Sequence, residues 1–390
     1  MVHPLDVESQ NGQGHTVDCA SKVHSPAAGS DYEHEWEHAI FQDRKHHPHL
    51  RKHASLDGFL WHHDRPRFIT KAEGVDEKSR AFSWEARRHR KQRRQLHQPK
   101  HPKQTSWLHW FRFLKFWLYL REPQTAVSWL QGFFFFWGGM LFIASSIGPI
   151  IRSVDEGPHT RWSAWAWTAG YCSISGTDFF FLPGVYMTLV EAGNSDYKLR
   201  LHRWAKAGRP GSRPAYRWFF PFKADNLISW VSWLMLIGKL FFSTAFTLYA
   251  LDPTIPINMT VVEQRVFIWA FGTFGSLCFC VFGLVQCWES SHSLWKGLVP
   301  LPSNCNKLGF WASASGFYGG VGFMIGSIWF LVIFDKEVSW GQNVVANCVG
   351  YLNGSFWFTL NGLLMWFEIS DRPPPDDETT LSEDSSRLQT

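Results

Sequence analysis

Asp178 and Lys239 each fall near the middle of a long apolar run of this 390-residue chain. A charge at the centre of a lipid-embedded helix costs about 2.5–3.5 kcal/mol on insertion scales. Opposite charges at matching depth on consecutive helices would lower that cost by pairing. The expectation is therefore a buried Asp178–Lys239 ion pair. The alternative is a Lys239 that reaches for an interface and an Asp178 that faces the loops. Three further acids, Glu191, Glu289 and Glu368, close three apolar runs at one level. They could ring a pore mouth or hold a cation. The simpler expectation is that they sit in water or pair with loop cations such as Lys198 and Arg200, contributing about 0–1 kcal/mol each. Asn347, Gly354, Asn361 and Glu368 recur every seven residues and share one stripe, which in lipid must turn toward neighbouring helices.

These residues need elements to carry them. Six apolar stretches are long enough to span a bilayer: about 127–151, 166–190, 226–250, 266–289, 309–334 and 343–367. Only 18 % of residues are charged while 17 % are aromatic, well below the charge of a soluble domain this size. Lys and Arg orient the spans. Eleven lie between Arg87 and Arg121 ahead of the first span, and eight in the connection 191–225. The opposite connections carry one or two each, so both termini are expected on the cytoplasmic side. "MVHPLDVESQNGQG" has no apolar region, which leaves the first span to act as the uncleaved signal.

The expected organisation has four parts. Residues 1–106 read as a disordered, basic, His-rich cytoplasmic tail, and 15 of the 18 histidines precede residue 110. Residues 107–122, beginning "WLHWFRFLKFWLYL", read as a helix lying at the interface. Residues 123–369 hold the six spans, and the acidic, Pro- and Ser-rich stretch 370–390 reads as a second disordered tail. The sequon at Asn258 makes that residue a candidate for glycosylation.

The spans repeat one pattern. "GSLCFCVFGLVQCWE" (275–289) and "GSFWFTLNGLLMWFE" (354–368) share Gly-Ser at the start, Phe four residues on, Gly eight on and Glu at the end. The second span repeats it as Gly176, Phe180 and Gly184, with Glu191 one residue late. The odd spans carry Gly138 with Phe142, Gly238 with Phe242 and Gly319 with Phe323. Helices in lipid gain little from burying apolar surface against each other, so close approach at small residues must supply the attraction. Gly138, Gly176, Gly184, Gly238, Gly275, Gly283, Gly319, Gly354 and Gly362 are the expected packing points. The fold class that follows is all-α: a six-transmembrane-helix bundle made of three related helical hairpins. These packing units, together with "WVSWLMLIGKLFFSTAFTLYALD" and "GFWASASGFYGGVGFMIGSIWF", resemble fungal polytopic membrane proteins of unknown function and the YrhK-like membrane domain. That resemblance implies six spans and no defined activity.

The chemistry that is missing narrows the function. The chain has no Walker loop, GxSxG elbow, HExxH or dinucleotide fingerprint, and its seven cysteines include no CxxC pair. No catalytic, cofactor or metal residue is assigned. The basic run 87–103 sits just before a membrane helix, a position that favours anionic lipid over nucleic acid. The expected protein is a non-enzymatic, multi-pass membrane organiser contacting lipids and unidentified protein partners. The alternative is a small-solute or ion transporter working through Asp178 and Lys239.

Overall fold

A computed structural model of the chain describes residues 51–53, 71–75, 81–85, 87, 107–154, 166–209, 211–224, 226–251, 259–291, 294–305, 307–333 and 340–370. Most of the two tails, and Asn258 with them, lie outside the described residues. Part of the expected N-terminal tail is nevertheless ordered. Strands β1 (Arg51–His53), β2 (Lys71–Val75) and β3 (Ala81–Glu85) form an antiparallel sheet in the order β1-β2-β3, with Ala72 opposite Trp84 and Lys52 opposite Ala72. "AFSWE" and "KAEGV" alternate apolar and polar residues at period two, the strand signature that a compositional reading of the tail passes over. The all-α expectation thus holds for the bundle and needs this small sheet added ahead of it.

The interfacial segment is a short helix, α1 (Trp107–Leu114), followed by a further turn at Phe116–Leu118. Both are wound three residues per turn rather than 3.6. Phe113 stacks on Trp366 with ring centroids 4.7 Å apart, and its N–H donates to the Ser370 hydroxyl at 3.2 Å. Leu114, Phe116, Trp117 and Leu120 point outward. Ser370, placed by the sequence in the acidic tail, is the last helical residue of the bundle and is buried.

Six long helical rods follow. They are α2 (Pro123–Val154), α3 (166–193), α5 (Leu227–Leu251), α6 (Val261–Ser291), α9 (Leu308–Ile333) and α10 (340–370). Shorter helices α4 (Tyr197–Lys206), α7 (Leu294–Leu298) and α8 (Pro302–Cys305) lie in the connections. Four rods, Pro123–Gly148, Leu227–Ala250, Val261–Ser291 and Leu308–Ile333, are long and apolar enough to cross a membrane. Local chemistry sets the ends. Pro123 opens α2 where its missing N–H is not needed. Thr260 caps α6, its hydroxyl accepting from the Glu263 N–H while Glu263 accepts from the Thr260 N–H at 2.7 Å.

Each rod packs on the next, and α10 closes the ring against α2. The ring is apolar outside as well as inside, and it buries small polar side chains between its rods. Phe179, Leu240, Leu277, Val332 and Phe356 face outward, while Ser173, Ser232, Ser276, Ser313, Ser355 and Lys239 are buried. An apolar belt of that extent is what lipid solvates and water does not.

Candidate functional site

The bundle axis is filled by six phenylalanines. Phe142, Phe242 and Phe323 form one triangle with ring centroids 6.1, 5.5 and 5.3 Å apart. Phe181, Phe279 and Phe358 form a second, at 5.6, 4.9 and 6.0 Å. Contacts of 5.6 Å (142–181), 5.3 Å (242–279) and 5.3 Å (323–358) join the triangles into a trigonal prism of rings. All six are at most 2 % exposed. Aromatic pairs in such tilted and edge-on geometries contribute about 0.5–1.5 kcal/mol beyond the area they bury.

Phe181 occupies the place expected of Phe180, and the reason is a helix defect. Residues Ser175–Phe181 form a π-turn, in which one extra residue is accommodated in the winding. It ends just before Pro183, which lacks a backbone donor and is eased by a widened turn. The insertion moves Phe181 onto the axis and leaves Phe180 against Phe133 and Phe134 at the edge. It also explains the late Glu191: Phe181 to Glu191, Phe279 to Glu289 and Phe358 to Glu368 are each ten residues. Gly184 accordingly sits three residues past the axial ring, where Gly283 and Gly362 sit four.

Six of the glycines expected to pack face one another in three pairs. A Cβ on Gly138 would lie 3.4 Å from the Gly176 carbonyl, one on Gly275 2.6 Å from that of Gly238, and one on Gly354 2.9 Å from that of Gly319. Gly283 abuts Phe317, Gly362 abuts Phe136, and Gly184 faces the Phe134 side chain at 3.2 Å. Gly322 and Gly350, absent from the expected set, are as tight: a Cβ there would come within 2.6 Å of Gly354 Cα and 2.5 Å of Gly326 Cα.

Asp178 and Lys239 do not form the expected ion pair. Lys239 is fully buried, and its Nζ donates to Ser243 Oγ at 2.6 Å. Asp178 accepts from Thr247 Oγ1 at 2.7 Å. Positions 239, 243 and 247 are successive turns on one face of α5, so two hydroxyls stand between the charges. Lys239 is also 5.8 Å from the Phe181 ring centroid and 5.6 Å from that of Phe242, within cation–π range.

The three acids are buried and do not sit in water. Glu191, Glu289 and Glu368 are 7, 5 and 0 % exposed. Glu191 accepts from the Ser128 hydroxyl at 2.9 Å. Glu368 is held by Arg87, Nε to Oε1 at 3.2 Å and Nη2 to Oε2 at 2.9 Å. The expected loop cation Arg200 pairs instead with Asp196 at 3.4 Å. Burial works against the charge of Arg87, but Glu368, its hydrogen bonds, and the fields of Glu289 and Glu191 outweigh it and hold the guanidinium above its ordinary pKa. Arg87 is the residue the sequence reading missed. The signal available was electrostatic: three carboxylates closing apolar helices at one level need a cation, and a basic run stands ready upstream.

The Asn stripe turns inward as glue. Asn361 Nδ2 donates to the Ala312 carbonyl of α9, and Asn347 is buried. At the end opposite the acids, a small cavity of about 30 Å³ is bordered by Ser146, Phe246, Trp269, Asn347 and Tyr351. Its lining includes Phe142 and Phe323 of the first triangle and none of the second. No group of three or more His, Cys, Asp or Glu side chains suited to a metal ion occurs among the described residues. Compared with known proteins, the chain matches no family model, no curated protein and no solved structure.

Proposed function

We propose that this chain is a non-enzymatic, multi-pass membrane protein that organises lipids and protein partners at the cytoplasmic face. In this reading all six rods span the bilayer as three related hairpins, with both ends of the chain cytoplasmic. The kinship with fungal polytopic proteins and YrhK-like domains belongs to the same reading. One observation carries it: among the described residues, six buried phenylalanines fill the axis between the acid end and the opposite cavity. Further support comes from the outward Trp117, Leu114 and Phe116 of the interfacial segment, which suit headgroup depth, and from the basic run 87–103 beside them, which suits anionic lipid.

The test is reconstitution of the full chain into vesicles with and without anionic lipid. Anionic lipid and specific proteins are expected to co-purify with it, and ion and small-solute flux to match that of empty vesicles. Saturable flux above that baseline would overturn the reading. The transporter reading keeps one specific support, the ionisable Lys239 buried beside the phenylalanine prism. It requires flux that Lys239→Met abolishes.

A further inference from the structure

We propose that the acid end of the bundle is a guanidinium-binding site, filled in cis by Arg87. The proposal does not depend on whether the protein organises or transports. It rests first on shape. The Arg87 fork meets both oxygens of a fully buried carboxylate, with Arg87 itself only 3 % exposed. Two parallel N–H···O bonds of this kind select a planar guanidinium over an ammonium.

The floor of the site is shaped for the same group. Gly309, at the start of α9, is the position where a Cβ would lie 3.2 Å from Glu368 Oε1 and 3.4 Å from Arg87 Nε. Any side chain there would intrude on the fork. Glu191 and Glu289, arriving on α3 and α6, surround the site with negative charge, so that three rods contribute to it. The Arg87 Nη1 is buried without a protein acceptor among the described residues, which leaves one edge of the fork unspent.

The β1–β3 sheet just upstream packs on itself, and no strand makes an extended contact with a rod among the described residues. Arg87, two residues past β3 in the chain, is thus a tethered ligand: a side chain seated in a pocket that the rods of the bundle build. A free guanidinium of similar shape should replace it when its side chain is removed.

The experiment uses the full chain in lipid nanodiscs and follows thermal unfolding. Arg87→Ala is expected to lower the midpoint. Methylguanidinium should then restore at least half of the loss in a dose-dependent way, as a ligand of the folded state does. Wild type should not respond, methylammonium should not rescue, and Arg87→Ala combined with Glu368→Gln should lose the rescue. Absence of rescue, or equal rescue by methylammonium, overturns the proposal. If Arg87→Ala does not fold, trypsin cleavage after Arg87 is measured in wild type and Glu368→Gln, relative to cleavage after the exposed Arg217. A docked Arg87 cannot enter the protease pocket, so Glu368→Gln should raise relative cleavage roughly ten-fold, tracking the undocked population. Equal cleavage overturns the proposal.

Discussion

Lys239 and Glu368 are both buried ionisable groups, yet their surroundings predict opposite responses to mutation. Glu368 accepts two bonds from Arg87, and breaking a buried pair on one side costs about 3–5 kcal/mol because the partner charge is stranded. Lys239 donates to a hydroxyl and lies beside two aromatic rings, while the nearby Asp178 carboxylate is hydrogen-bonded to Thr247 instead. Replacing it with Met, which has a similar length, removes an expensive charge from the apolar interior. Lys239→Met is therefore expected to hold or raise thermal stability, and the swap of Asp178→Lys with Lys239→Asp to be no better than either single change. Thermal unfolding in detergent checks both. A loss of several kcal/mol in Lys239→Met, recovered by the double swap, would reinstate the direct ion pair.

At the scale of elements, the helices approach through glycine and keep register through π-turns. A side chain on Gly275 meets the backbone of α5 at 2.6 Å, and backbone cannot step aside. On Gly184 the first obstacle is the Phe134 side chain at 3.2 Å. Overpacking a close helix contact costs about 1–3 kcal/mol. Gly275→Ala should sit in or above that range and Gly184→Ala below it, as measured by the unfolding midpoint of each purified variant. Equal losses would mean that the distances do not decide. The π-turns recur at Arg265–Ala270 in α6 and Ala346–Leu352 in α10, each N-terminal to the glycine of its rod. In α3 there are two, Ala166–Cys172 and Ser175–Phe181. Deleting Phe181 itself would leave Phe180 four residues after Gly176 and ten before the acid, the spacing of the other two rods.

Over the whole molecule, the prism of rings divides the axis into two ends with different chemistry. One holds three carboxylates and Arg87, the other an aromatic cavity with Ser146 and Asn347. Truncating a core aromatic costs about 3–5 kcal/mol when the site cannot collapse. Phe181→Ala, which opens the second triangle on two sides, should fall in that range, and Phe179→Ala, on the outward face, should be nearly silent. Paired unfolding curves test the contrast. Fluorescent tags at the two ends of the chain, challenged with an impermeant quencher, test the topology; both must answer from one side.

The sequence by itself determined the broad architecture of long apolar helices and the spacing of glycines and acids along them. Those properties follow from run length and helical period, which are local. It also contained the late Glu191, but not its meaning, because a π-turn is set by how a rod must present Phe181 to five others. Arg87 and the separation of Asp178 from Lys239 were decided only by the tertiary structure. A partner for a buried charge is chosen by three-dimensional proximity and competing hydroxyls, and Arg87 reaches Glu368 across 281 residues of chain.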